Sequence, residues 1–182
     1  MRLVTFRPPT GGKPRAGAVI GESVVDLTAS LGVESVRELL ASGRLAEARE
    51  HVRGHSDGLA LGDVHLDLPM TDPQKIFCVG VNYMNRNEEY RDNSAAPAYP
   101  SLFMRNPLSF VPHGGSLLIP PESDQFDYEG EIVLVIGRPG RRITQEDAHD
   151  HIAGLTIMNE GSVRDWLRHG KFNVTQGKNF DA

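Results

Sequence analysis

Two glutamates, Glu129 and Glu131, stand one residue apart at the head of the β-branched run Ile132-Val133-Leu134-Val135-Ile136. In an extended chain residues i and i+2 project from one face, so their carboxylates lie side by side, with Asp127 in the same parity. Like charges held together repel unless a cation sits between them. A third acid, Glu160, ends the other long apolar stretch, residues 152–158. Three carboxylates at the strand ends of one sheet can converge on a hard divalent cation, Mg²⁺, Mn²⁺ or Ca²⁺, with water and substrate filling the remaining positions. For a Glu-x-Glu pair taken alone, the alternative is a solvated strand end, the commoner fate of surface glutamates.

Other chemistry finds less support. The single cysteine, Cys78, can neither close a disulfide within the chain nor build a thiolate metal site, which points to a reducing, cytoplasmic setting. His149 and His151, i and i+2 on an expected helix, point to different sides and make no zinc pair. His51, His55, His65 and His169 read as surface residues, and His113, in a loop beside glycines, has no support as a ligand. The segment Lys75-Ile76-Phe77-Cys78-Val79-Gly80 looks like the first strand of a dinucleotide-binding unit, but no G-x-G-x-x-G follows. With 19 Lys+Arg against 24 Asp+Glu, a formal net charge of −5 leaves no basic surplus for nucleic acid. The longest aliphatic run, residues 132–136, is far too short to span a membrane, and the N-terminal residues lack a signal-peptide stretch.

These candidates must be positioned by short elements, since 31 of the 182 residues are glycine or proline without a repeat period. A turn-rich β or α+β protein is the expectation. Strands are expected over residues 3–6, 16–20 and 24–27, and Ser35 as the cap of a helix running to Gly43, with a second helix ending at Gly54. Residues 64–68 alternate like a short strand. A domain boundary is placed near Pro73, giving a small N-terminal domain, 1–72, and a main domain, 73–182. In the latter, residues 75–81 read as a buried strand, 85–92 as helix or loop, and 101–104 as a strand. Residues 132–136 read as a strand buried on both faces. Thr144-Gln145-Glu146-Asp147 reads as a capping box opening a helix through His151.

Four blocks together are similar to the fumarylacetoacetate hydrolase family in order and spacing. They are Lys75-Ile76 with Val79-Gly80-Val81-Asn82-Tyr83; Asp127-Tyr128-Glu129-Gly130-Glu131; Met158-Asn159-Glu160-Gly161-Ser162-Val163-Arg164-Asp165; and Gly177-Lys178-Asn179-Phe180. The resemblance implies a mixed β-roll, mostly β with short helices, preceded by a small α+β domain. It implies a divalent metal held by Glu129, Glu131 and Glu160, the last standing where the family usually has Asp. The implied cofactor is Mg²⁺ or Mn²⁺, with Ca²⁺ an alternative, and the substrates are 2-oxo or 1,3-dioxo acids. Such an acid offers two oxygens at chelating distance, and the metal can polarise its carbonyl and stabilise an enolate. Lys178 and Arg164 match family positions that bind a carboxylate or the developing oxyanion, and Tyr83 joins the substrate-binding set.

One position departs from the family. Where its hydrolases carry a histidine that activates water, this chain has Arg86, followed by Glu89 at the glutamate position. Arginine stays protonated and is a poor general base. Glu89 is then left to move protons alone, or Arg86 clamps a second substrate carboxylate. The leading expectation is a cytoplasmic, homodimeric enzyme that hydrolyses, hydrates, isomerises or decarboxylates a 2-oxo dicarboxylate or dioxo acid from aromatic or sugar-acid breakdown. The alternative is a catalytically idle family member that binds metal or ligand, or a fragment that assembles with another chain. The family's fold continues beyond the Gly-Lys block, so the β-roll is expected to be incomplete at the C-terminus.

Overall fold

The computed structural model describes residues 1–55, 57–83, 85–89, 98–170 and 174–181, with only the backbone of Arg86 and Glu89. In chain order the strands and helices are β1 (Arg2–Arg7), β2 (Arg15–Ile20), β3 (Ser23–Asp26), α1 (Leu27–Leu31), α2 (Val36–Ala41), α3 (Leu45–Arg53), β4 (Leu59–Ala60), β5 (His65–Leu66) and β6 (Phe77–Gly80). There follow α4 (Arg86–Glu89), β7 (Ser101–Met104), β8 (Phe126–Asp127), β9 (Gly130–Ile136), β10 (Ile152–Asn159), β11 (Ser162–Val163) and α5 (Val174–Gly177). The protein is mostly β with short helices, as the sequence leads one to expect. It divides into two compact units. One comprises Met1–Asp72, Val111–Gly115 and Gly130–Asn159, the other Pro73–Phe110, Ser116–Glu129 and Glu160–Ala182.

The first unit carries a five-stranded sheet in the order β4-β3-β2-β1-β5. Strands β2 and β3 pair with Ile20 opposite Ser23, so only Gly21 and Glu22 turn the chain. Gly21 has φ +55° at the first loop position, where a tight hairpin turn favours glycine. The Asp26 side chain accepts from Ala29 N (2.9 Å) to start α1, and that of Ser35 accepts from Glu38 N (3.1 Å) to start α2. Both helices then turn apolar residues inward. Leu27, Val36, Leu39 and Leu40 join Ala48 and Val52 of α3 in one buried cluster with Ala16, Ala18 and Val25 of the sheet. Each large side chain so buried contributes about 1.5–3 kcal/mol.

Strands β9 and β10 form an antiparallel ribbon in the same unit, with Ile132 opposite Ile157 and Leu134 opposite Leu155. Here the expectation of burial on both faces is corrected. Ile132, Leu134, Ile136, Leu155 and Ile157 are exposed, Ile157 by 85%, while the alternate face is half-buried and Val135 and Ala153 pack on the core cluster. A continuous β-branched run specifies a strand but not how many of its faces are covered. The expected helix at 144–151 is also corrected. Thr144 Oγ accepts from Asp147 N (3.2 Å) and donates to Asp147 Oδ2 (3.0 Å), closing a turn, and only a 3₁₀ segment, Ala148–His151, follows. The His151 carbonyl is taken by Gly137 N (2.9 Å) as the ribbon begins, which stops the helix.

In the second unit β6 pairs with β7, Phe77 opposite Met104 and Val79 opposite Leu102. The expected buried strand at 75–81 is therefore one arm of a two-stranded ribbon, and Phe77 is 58% exposed. With no further strand hydrogen-bonded to this pair among the described residues, burial has no second layer to depend on. The other ladder of this unit, β8 with β11, carries the acids.

Candidate metal centre

Ser162 lies opposite Asp127 and Val163 opposite Phe126. One step along, Glu160 N donates to Glu129 O (2.7 Å) and continues the ladder. Antiparallel pairing thus joins two distant sequence blocks, and alternation makes Asp127 and Glu129 neighbours of Glu160, Ser162 and Arg164. Helix α5 delivers Lys178 to the same place. A Cβ at Gly177 would stand 2.5 Å from Leu167 Cδ2 and 2.8 Å from Val163 O, so only glycine allows that approach.

The side chains interlock. Lys178 Nζ donates to Glu129 Oε2 (2.8 Å) and Glu160 Oε2 (3.2 Å). Ser162 Oγ donates to Glu129 Oε1 (2.8 Å), which also meets Arg164 Nη1 (2.6 Å). Arg164 spans to Asp127 Oδ2 through Nε (3.0 Å) and Nη2 (2.8 Å). On the far side of Glu160, Arg105 Nη1 stands 3.7 Å from Oε1. Lys178 is only 6% exposed and Glu160 4%. Burial pushes the Glu129 carboxyl up, but Lys178, Ser162 and Arg164 outweigh it and hold it below the usual carboxylate range. Burial, then the neighbouring Glu160 carboxylate, pushes the Cys78 thiol up to about 12, so it is no nucleophile at neutral pH.

The donors present fit a hard divalent cation. Glu160 Oε1 is buried and accepts no hydrogen bond, although a buried carboxylate oxygen left without a partner is costly. At the mouth of the β9–β10 ribbon, Glu129, Glu131 and Glu160 each offer an oxygen within 4.8 Å of the other two. All-oxygen ligation of this kind suits Mg²⁺, Mn²⁺ or Ca²⁺ rather than a soft metal.

Residues 75–182 match the family model described as Fumarylacetoacetate (FAA) hydrolase C-terminal. The chain belongs to the fumarylacetoacetate hydrolase family. It is 35% identical over 191 residues to the oxaloacetate tautomerase fahd2, mitochondrial, of Xenopus laevis, covering 100% of this chain and 59% of that protein. The crystal structure of 5-carboxymethyl-2-hydroxymuconate delta-isomerase from Mycobacterium smegmatis matches 100% of this chain with 62% of its own, at 25% identity and a TM-score of 0.67. Maleylpyruvate hydrolase from Sphingobium sp. SYK-6, in complex with manganese(II) and pyruvate, matches 98% of this chain with 63% of its own. Its TM-score of 0.71 at 23% identity is a likeness of fold. The chain spans about three fifths of the length of each of these proteins.

Of the residues singled out in the sequence of this family member, the structure brings Glu129, Glu131, Glu160, Arg164 and Lys178 together. Lys178 and Arg164, ordinary surface charges on a sequence reading alone, are instead ion-paired with the acids. Tyr83 is 61% exposed and follows Val81, a β-branched residue held at φ +54°, a strained conformation of the kind that gathers at functional loops. The side chains of Arg86 and Glu89 lie outside the described residues. Sequence reasoning missed Arg105, which sits in no motif, and left Ser162 without a role, although it stands inside the quoted Asn-Glu-Gly-Ser block.

Proposed function

We propose that Glu129, Glu131 and Glu160 hold Mg²⁺ or Mn²⁺, and that the protein acts on a 2-oxo dicarboxylate or dioxo acid by shifting a proton and a double bond. The observation that carries this reading is the buried Glu160 carboxylate, with one oxygen free of hydrogen bonds and in reach of its two acidic neighbours. The similarity to an oxaloacetate tautomerase and a delta-isomerase supports the substrate class and the reaction type. When bound, the cation supplies a Lewis acid to the substrate carbonyl. Lys178 then faces the negative charge that develops on the substrate oxygen, and Arg164 orients the acids and the adjacent substrate carboxylate. Tyr83 and Arg86 contact the second carboxylate, and Glu89 moves the proton, assignments that rest on the family resemblance. A cytoplasmic homodimer is part of the same proposal. Among the described residues, no helix is long and apolar enough to cross a membrane.

The test is a calorimetric Mn²⁺ titration of the protein and of its Glu129→Gln/Glu131→Gln double variant. The double variant is expected to lose binding, and unchanged affinity would sink the site. Arg86 in the histidine position favours a second reading, an idle member that binds metal without turnover. Oxaloacetate, acylpyruvates and oxo-heptenedioates assayed with chelator and then with restored metal separate the two. Metal-restored turnover supports the enzyme, and metal binding without turnover of any of them supports the idle member.

A further inference from the structure

We propose that Arg105 is a positioning residue that holds Glu160 and Lys178 in register and thereby sets the affinity of the acid cluster for a divalent cation; this rests on the metal reading above. Its side chain is 4% exposed, and a buried guanidinium is tolerated only when its donors are engaged. Arg105 Nε donates to Ser109 Oγ (3.2 Å), and Nη2 to Ser109 O (3.2 Å) and Oγ (3.1 Å). The guanidinium also lies 5.0 Å from the Phe110 ring centroid. Ser109 is itself fixed, its Oγ donating to Asn106 O (2.7 Å). The side chain of Asn106 caps the 3₁₀ turn Pro107–Ser109 by accepting from Leu108 N (3.1 Å).

From this anchored turn two arms reach the acids. Arg105 Nη1 donates to Gly161 O (3.4 Å), next to Glu160. Asn106 N donates to Asn179 Oδ1 (2.5 Å), next to Lys178, and Asn179 Nδ2 donates to Met104 O (3.2 Å) and Thr175 O (2.8 Å). One short segment therefore grips the neighbours of both Glu160 and Lys178. Arg105 Nη1, 3.7 Å from Glu160 Oε1, is too far to donate to it, so the guanidinium sets charge beside that oxygen without occupying its lone pairs. A ligand oxygen steadied from behind and open in front is what outer partners of metal ligands provide.

The test keeps the positive charge and loosens only its placement. Arg105→Lys retains an ammonium that cannot reach Ser109 and Gly161 as a fork does. Ser109→Ala leaves the arginine and removes its anchor. Both are expected to weaken Mn²⁺ binding in calorimetry about tenfold or more and to broaden the bound Mn²⁺ electron paramagnetic resonance spectrum, as Glu160 takes up a spread of positions. If both variants bind Mn²⁺ with the parent's affinity and spectrum while melting at a lower temperature, Arg105 is only structural and the proposal is overturned. If the parent protein takes up no Mn²⁺, the metal reading itself falls, and this inference with it.

Discussion

Among the described residues, thirteen of the fourteen buried apolar side chains lie between Phe6 and Val52, and only Val163 belongs to the second unit. Five of the six buried polar or charged residues, Arg105, Ser109, Glu160, Ser162 and Lys178, lie in that second unit, with Thr5 the exception. The first unit is thus held by removal of aliphatic surface from water, which is non-directional and indifferent to pH. The interior of the second is built from charges whose desolvation cancels most of their attraction. Such pairs stabilise little for what they cost, but they fix directions and distances. A region that keeps them where aliphatics would fold as well is one whose geometry matters more than its stability.

The largest effect that would sharpen this contrast is Phe6→Ala. Phe6 is fully buried, and its loss should cost about 3–5 kcal/mol in denaturant unfolding, by the same amount at pH 5 and pH 8. A pH-dependent cost would break the contrast. Lys178→Met strands the Glu129 and Glu160 carboxylates and should cost about 3 kcal/mol at neutral pH. The sign of its pH dependence follows from Glu129, whose carboxyl is held below its ordinary range. That stabilisation is present above an unfolded value of about 4.3 and is lost as pH falls through the depressed folded value. The gap between Lys178→Met and the parent, both measured in chelator, should therefore shrink as pH is lowered from 6 towards 3 by about three units. A gap that stays constant would place the role of Lys178 in packing. Smallest is a matched pair of hydroxyl deletions, each costing about 1 kcal/mol. Ser162→Ala removes a donor to Glu129 and Ser35→Ala a helix cap, and only Ser162→Ala is expected to alter Mn²⁺ affinity.

Much of the local architecture was legible because it is written at short range. The helix caps at Asp26 and Ser35, the Gly21 hairpin and the strands over 132–136 and 152–158 depend on residues a few positions apart. What failed was of one kind. Residues 75–81 and 132–136 announce themselves as strands by composition, yet whether a face is covered depends on what packs there, and periodicity carries no record of that. Thr144 and Asp147 do bond as a capping pair, but the competing ribbon claimed the His151 carbonyl and no α-helix grew. In the candidate site, the paired glutamates and Glu160 could be listed from spacing, and the order of four blocks named the family.

The sequence by itself determined which residues alternate on a strand, where short helices start, and that Glu129, Glu131 and Glu160 stand at strand ends, because these follow from backbone geometry and near neighbours. Only the tertiary structure decided that Lys178 lies between Glu129 and Glu160, that Arg164 spans Asp127 and Glu129, and that Arg105 stands behind Glu160. Those partners come from segments far apart in the chain. They meet only when the β8–β11 register and the close approach at Gly177 are set, and no local pattern encodes the distance between charges that the fold itself must bring together.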